Sequence, residues 1–344
     1  MQTLWFWIFW GMLASFVVFG GIDIGVGILH LIVGRNEAQR TQTIRSIHQV
    51  WKPNEVWLVA GGGVMFVAFP LLLATSLSGF YLAIMLVLWL LIGRGLGIEL
   101  RGRIADPMWR QFWDVAFCVS SGLLAVCLGA ALGNFVRGVP LDQTGVFFEP
   151  LWTDFRVRSD TGILDWFTVL VGVTAVVALA HHGALWLNAF TEGVVQERSA
   201  RIARWLWMPL VVILILAATA SSILQPQIRM NVAAHPWAII FPLGAASALI
   251  ASRVLMRNGR DLQAFIASGA SLYAALVAAA FGLHPYVLPA RNPALGLTAI
   301  AAAAPRESLQ LALYWWIPGM LLVAGYFFYV YSKLPPKVSV AEEE

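Results

Sequence analysis

The chain has 344 residues, 60% of them hydrophobic and only 12% charged, against roughly 25% charged in a soluble domain; a water-soluble enzyme is excluded. The net charge of +4 comes from basic residues placed between apolar runs, which is a topology signal and not a nucleic-acid surface. Cys118 and Cys127 share one apolar run, about 13 Å apart at helical rise. That is too far for a disulfide, and both read as small apolar packing residues.

A bilayer is crossed by about 20 apolar residues. Nine runs of this kind follow one another: Leu4–Val33, Val56–Thr75, Ser78–Leu100, Phe112–Val136, Leu164–Phe190, Trp205–Leu224, Pro236–Leu255, Leu262–Leu283 and Leu309–Tyr331. The first has neither a basic leader nor a small-residue cleavage site, so a retained helix is expected rather than a signal peptide. The expectation is an all-α, polytopic membrane protein: a single transmembrane domain over 1–344 with about nine transmembrane helices, ending in a cytoplasmic tail over 332–344. Fifteen Lys and Arg fall in the odd-numbered connections and the tail, among them Arg35, Arg40, Arg45, Lys52, Arg101, Arg103 and Arg110. Six fall in the even ones: Arg137, Arg156, Arg158, Arg229, Arg291 and Arg306. The longest even connection also carries Asp142, Glu149, Asp154 and Asp160. The positive-inside rule then puts the N-terminus outside and the C-terminus in the cytoplasm. Trp57, Trp152, Trp166, Trp205, Trp207, Tyr314, Trp315 and Trp316 stand at run ends, as interfacial anchors do. No phosphate-binding glycine loop, metal-binding cysteine pair or HExxH helix occurs.

A charge at bilayer depth costs at least about 2.5 kcal/mol, so each one needs a partner or a water-filled site. Asp23 lies inside the first run, in Gly21-Ile22-Asp23-Ile24-Gly25-Val26-Gly27, where the glycines permit close helix approach. Arg94 lies inside the third run at similar depth. The two are expected to form a buried ion pair between the first and third helices, serving either packing or proton and quinone handling. Glu99 and Asp114 lie nearer the water, where solvation is the simpler reading. His181, His182 and Glu192 bracket the later part of the fifth run; for His182 a hydrogen-bonded structural role is favoured over a proton relay or a haem ligand. His30, His48, His235 and His284 lie near run ends or in loops, where solvation accounts for them.

Together these residues resemble a specific family, the second subunit of cytochrome bd-type quinol oxidases. The resemblance rests on Asp23-Ile24-Gly25-Val26-Gly27 with Gly34-Arg35-Asn36, then Trp51, Asn54-Glu55-Val56-Trp57 and Ala60-Gly61-Gly62. Phe69-Pro70, Ser78-Gly79-Phe80-Tyr81, and Arg94, Gly97, Glu99 and Arg101 follow in order, as do Trp113-Asp114, Gly133-Asn134 and Gly138-Val139-Pro140. His182-Gly183-Ala184, Thr191-Glu192-Gly193 and Tyr286-Val287-Leu288-Pro289 complete the set. The resemblance implies two four-helix bundles plus one helix, in the cytoplasmic (inner) membrane of a bacterium or archaeon. It implies a partner, subunit I, that carries haem b, haem d and the quinol site, with quinol and oxygen as substrates of the complex. This subunit would give structural support, bind quinone or lipid in some members, hold no haem firmly, contact small single-helix subunits, and form part of a cytoplasmic proton route. Asp23, Glu55, Arg94, Glu99, Asp114, His182 and Glu192 are the candidates for the ion pair or proton handling.

Two departures stand out. Gly20 replaces an acidic residue usual in that family, and Trp51-Lys52-Pro53-Asn54 replaces Trp-Asp-Gly-Asn, which puts a cation where the proton route should begin. A lysine there repels an entering proton; either Glu55 substitutes or the route runs through subunit I. Two other classes compete: a secondary transporter with a midplane site at Asp23 and Arg94, and a structural anchor in another respiratory complex.

Overall fold

The structure, a computed structural model, describes residues 1–157, 162–334 and 337–339; Arg158 and Asp160 lie outside the described residues. α1 (Gln2–Val33) is apolar nearly all round, as a helix surrounded by others must be. Beyond it Asn36 caps α2 (Glu37–Ile47), accepting from the Gln39 N–H at 2.9 Å. α3 (Trp51–Ala68) stops at Phe69, because Pro70 has no N–H to donate and disfavours helical backbone in the residue before it. α4 (Pro70–Gly79) sets off at 116° to α3. The second apolar run is therefore bent at Phe69, not a straight span to Thr75. α5 (Tyr81–Leu100) leads to α6 (Pro107–Arg137), opened by Pro107 and by the Asp106 carboxylate, which accepts from the Trp109 N–H at 2.8 Å.

After a connection over 138–165, α7 (Trp166–Phe190) begins with a reciprocal cap: Asp165 accepts from Phe167 and Thr168 N–H, and Thr168 Oγ1 accepts from Asp165 N–H. α8 (Gly193–Leu224) starts well before the apolar run it contains. α9 (Pro226–Ala234), α10 (Ile240–Arg257) and α11 (Asp261–Leu283) follow, then a small antiparallel pair, β1 (Tyr286–Leu288) with β2 (Leu297–Thr298), and α12 (Arg306–Ser332). Eight helices of the described residues are long and apolar enough to cross a membrane, or nine spans with the bent pair α3–α4 taken as one.

Among the described residues α1, α3, α5 and α6 form one four-helix bundle and α7, α8, α10 and α11 a second, while α12 lies against α3 and α1. Contacts of α1 with α7 and α11, and of α6 with α7, join the bundles. In lipid, burial of apolar side chains does not drive helices together; close backbone packing does. The crossing of α1 and α7 shows this. A Cβ on Gly25 would collide with the Leu179 carbonyl and the Gly183 backbone, and a Cβ on Gly183 with Gly25 and Val26. The glycines flanking Asp23 thus set where its helix meets the second bundle. Part of the expected tail is strapped down: the Val338 N–H donates to the Phe190 carbonyl at 2.8 Å, and its carbonyl accepts from Gln42 Nε2 at 2.7 Å.

Candidate functional site

At the end of the first bundle where the basic connections gather, polar side chains run from the surface to Asp23. Asn54 and Glu55 are successive residues in the first turn of α3 and so point about 100° apart around it. Asn54 faces α1: its Nδ2 donates to Asp23 Oδ2 at 3.1 Å. The Tyr331 hydroxyl of α12 donates to Asn54 Oδ1 at 2.9 Å. These partners fix the amide's orientation, because a carboxylate only accepts. Glu55 faces α5 and is ion-paired with Arg94, which also lies within electrostatic reach of Asp23. Nearer the surface, Lys52 Nζ lies 3.0 Å from Glu99 Oε1, and Arg103 is 3.9 Å from Glu99 Oε2. Side-chain exposure falls from 65% at Lys52 to 28% at Glu55 and 3% at Arg94, and reaches 0% at Asp23.

The direct Asp23–Arg94 ion pair expected from depth is not formed. Each residue takes its nearest partner from α3: Asn54 for Asp23, Glu55 for Arg94. Depth along two helices says how far in a side chain sits, not which way it faces. Asp23 Oδ1 and Arg94 Nε and Nη1 are buried with no hydrogen-bond partner among the described residues. Asn54 and Tyr331 were not singled out from the sequence; Asn54 stood in a matched motif, whereas nothing local marks Tyr331. Trp57 is no interfacial anchor. Its ring stacks on Phe19 at 5.5 Å and meets Phe327 edge-on at 5.3 Å, forming an apolar wall beside Tyr331.

Asp114 is not solvated either; it is fully buried. Its Oδ1 lies 2.7 Å from His30 Nε2 and accepts from Arg101 Nε at 2.5 Å, and its Oδ2 accepts from Arg40 Nη1 at 3.3 Å. His30, also read as solvated, is buried, with its Nδ1 2.7 Å from Thr43 Oγ1. Arg101 reaches on to Glu37 at 2.9 Å and Thr41 at 3.1 Å. The covering element is α2, which lies outside every apolar run and therefore leaves no trace in hydropathy. Glu99, by contrast, keeps 26% of its side chain exposed.

His182 ties three helices together: Nε2 donates to the Val18 carbonyl of α1 at 3.1 Å, and Nδ1 lies 2.5 Å from Ser268 Oγ of α11. A haem ligand needs a free nitrogen lone pair facing the iron, and both ring nitrogens are engaged, so this imidazole does not fit that role. Glu192 is exposed and far along the chain from the Asp23 cluster; its backbone N–H donates to the Val338 carbonyl at 3.2 Å. Among the described residues no three His, Cys, Asp or Glu side chains are grouped to hold a metal.

The opposite end carries a second buried cluster. Arg137 is ion-paired with Asp165, and its Nη2 lies 3.0 Å from Glu149 Oε1; Arg291 Nη2 lies 2.5 Å from the same oxygen. Burial pushes the Glu149 carboxyl up to about 7, while Arg137 and Arg291 pull it down and Asp165 pushes it up. This cluster joins the 138–165 connection to the cap of α7.

Two helical bundles that hold buried ion pairs at both ends define a polytopic membrane protein whose polar residues are built into its interior. The chain belongs to the family described as cytochrome bd terminal oxidase subunit II, whose model matches residues 1–334. It is 28% identical to the cytochrome bd ubiquinol oxidase subunit 2 of Bacillus subtilis, over 97% of this chain and 96% of that protein. It is 27% identical to a probable cytochrome oxidase subunit 2 of Haemophilus influenzae, over 97% and 94% of the two chains. The cytochrome bd-I ubiquinol oxidase subunit 2 of Escherichia coli is 33% identical over 59% of this chain and 52% of its own length. A chain of the solved bd oxidase of Geobacillus thermodenitrificans superposes with a TM-score of 0.72 at 16% identity, covering 96% of this chain and 97% of that one. The two share a fold.

Proposed function

We propose that this chain is the second subunit of a bd-type quinol:oxygen oxidoreductase in a respiratory chain. It scaffolds a haem-bearing subunit I, holds no haem of its own, and carries protons from the cytoplasm through Lys52–Glu99 and Glu55–Arg94 to Asp23. The relatives described as cytochrome bd ubiquinol oxidase subunits support the complex. One observation carries the proton route: exposure falls stepwise along paired polar side chains to a fully buried carboxylate with one oxygen unengaged among the described residues. Glu55 and Asp23 supply groups that take and release protons. Arg94 stays protonated and balances charge as a proton passes. The Lys52 ammonium is held by Glu99, so it does not stand as an uncompensated cation at the mouth.

The test is to purify the complex through a tag on this chain and record its reduced-minus-oxidised spectrum. Haem b and d bands are expected, unchanged by His182→Ala; their absence would remove the chain from this class. Asp23→Asn should keep the spectrum and lose oxygen uptake, whereas retained uptake would dismiss the proton route. Orientation is checked with cysteines at the exposed Thr144 and Arg201, in a background lacking Cys118 and Cys127. They should label from opposite faces, Thr144 from outside.

A further inference from the structure

Beside the Asp114 cluster, at the same end of the first bundle, two adjoining cavities of about 250 and 470 Å³ share Thr41, Arg45, Arg101 and Gly102 in their walls. Arg110, Glu37 and Ser339 of the tail also line the first, and Arg103, His48 and Glu99 the second. Charge decides what they can hold. Among the described residues that line the two cavities, Arg45, Arg101, Arg103 and Arg110 stand with two carboxylates, Glu37 and Glu99. With the adjacent Lys52, Arg40 and Asp114 included, cations still outnumber anions two to one. Glu37 is shared between Arg101 and Arg110, at 2.9 Å each. Arg110 Nε is buried without a hydrogen-bond partner, and Arg45 makes no hydrogen bond or ion pair among the described residues. Donors therefore remain unspent around an open space.

Position decides the rest. The cavity sits where α5 ends and α6 begins, at the border of two membrane spans. Trp109 and Trp113 stand there, with ring centroids 5.7 Å apart, as aromatic side chains do at a bilayer interface. Large apolar side chains are exposed at the same helix junction: Ile104 is 48% exposed, Met108 82% and Phe112 61%. Basic pockets between spans at a membrane surface suit anionic lipid headgroups.

We propose that this cavity binds the phosphate of an anionic phospholipid headgroup, with the acyl chains lying along Ile104, Met108 and Phe112. Arg45 and Arg110 direct N–H groups at the phosphate oxygens, as arginine does for planar oxyanions. The site adjoins the proposed proton route at Glu99, which lines the second cavity, but neither Arg45 nor Arg110 belongs to that route.

The experiment uses the whole complex in phosphatidylcholine nanodiscs containing a minority of phosphatidylglycerol, with retained lipid read by native mass spectrometry. Wild type should retain phosphatidylglycerol over phosphatidylcholine. Arg45→Gln, at an exposed and unpaired position, should weaken retention about fivefold, the factor set by the usual contribution of one basic residue near an anionic surface. A Cβ at Gly102 meets nothing within 4 Å. Gly102→Asp should therefore abolish the preference by placing a carboxylate in the cavity, while Gly102→Ala keeps it. Equal retention of the two lipids by wild type, or a preference that survives both charge changes, overturns the proposal. Saturable binding of inorganic phosphate in pure phosphatidylcholine, with no lipid preference in the first arm, would assign the cavity to free phosphate and overturn the lipid assignment.

Discussion

Asp23 and Asp114 are both fully buried carboxylates on helices of the same bundle, yet their surroundings differ. Asp114 is met by His30, Arg40 and Arg101, so both of its oxygens are engaged and three separate segments are pinned to α6. A buried network satisfied in this way rigidifies the elements it joins. Among the described residues Asp23 has a single donor, Asn54, and one oxygen with none. It stands at the end of a polar path that begins in water. Burial alone does not set these two carboxylates apart; the number of lone pairs already spent does.

The comparison breaks first at Asp114. Asp114→Ala leaves Arg101 and Arg40 without their common anion inside the fold, a loss of about 3–5 kcal/mol for one partner of a buried pair. Assembled complex in the membrane, measured by the tag and by haem content, should nearly vanish; normal assembly would show that Asp114 is no lock. Asp23→Asn is isosteric, so assembly should stay near wild type while oxygen uptake drops by about 10²-fold, the lower end for loss of a proton-transferring group. Equal damage to assembly in both variants would erase the distinction between the two sites. A double-mutant cycle sharpens the inner geometry. Glu55→Gln with Arg94→Gln should show a coupling of about 0.5–3 kcal/mol in the unfolding of the solubilised complex, and Asp23→Asn with Arg94→Gln a smaller one. The reverse order would restore the direct Asp23–Arg94 pair.

A pH-dependent effect is expected at the opposite end, where Glu149 faces Arg137, Arg291 and Asp165. Its folded value, pushed up to about 7 from an ordinary 4.5, means that the unfolded chain ionises first as pH rises. Stability should be unaffected by this group below about 4.5, fall between there and about 7, and then level off. The thermal midpoint of the complex should follow that course, with a shallower slope in Glu149→Gln. An identical slope would place the titration elsewhere.

Hydropathy and charge counting settled much from residues alone. The apolar runs are helices, the basic connections collect at one end, and the depth of Asp23 and Arg94 brings them to one electrostatic neighbourhood. Phe69-Pro70 carried a legible break, but an apolar run continues through it, and hydropathy does not register a bend. What only the tertiary structure decided is direction. Asn54 turns to α1 and Glu55 to α5 because α3 packs against α1 in one rotation, while backbone contact at Gly25 and Gly183 sets how α1 crosses α7. Asp114 meets His30 across 84 positions of sequence, and α2 covers them both. Hydropathy projects a membrane protein onto the bilayer normal, so it reports depth; rotation about each helix axis is set by packing with partners far along the chain, and that rotation decides which partners each buried charge meets.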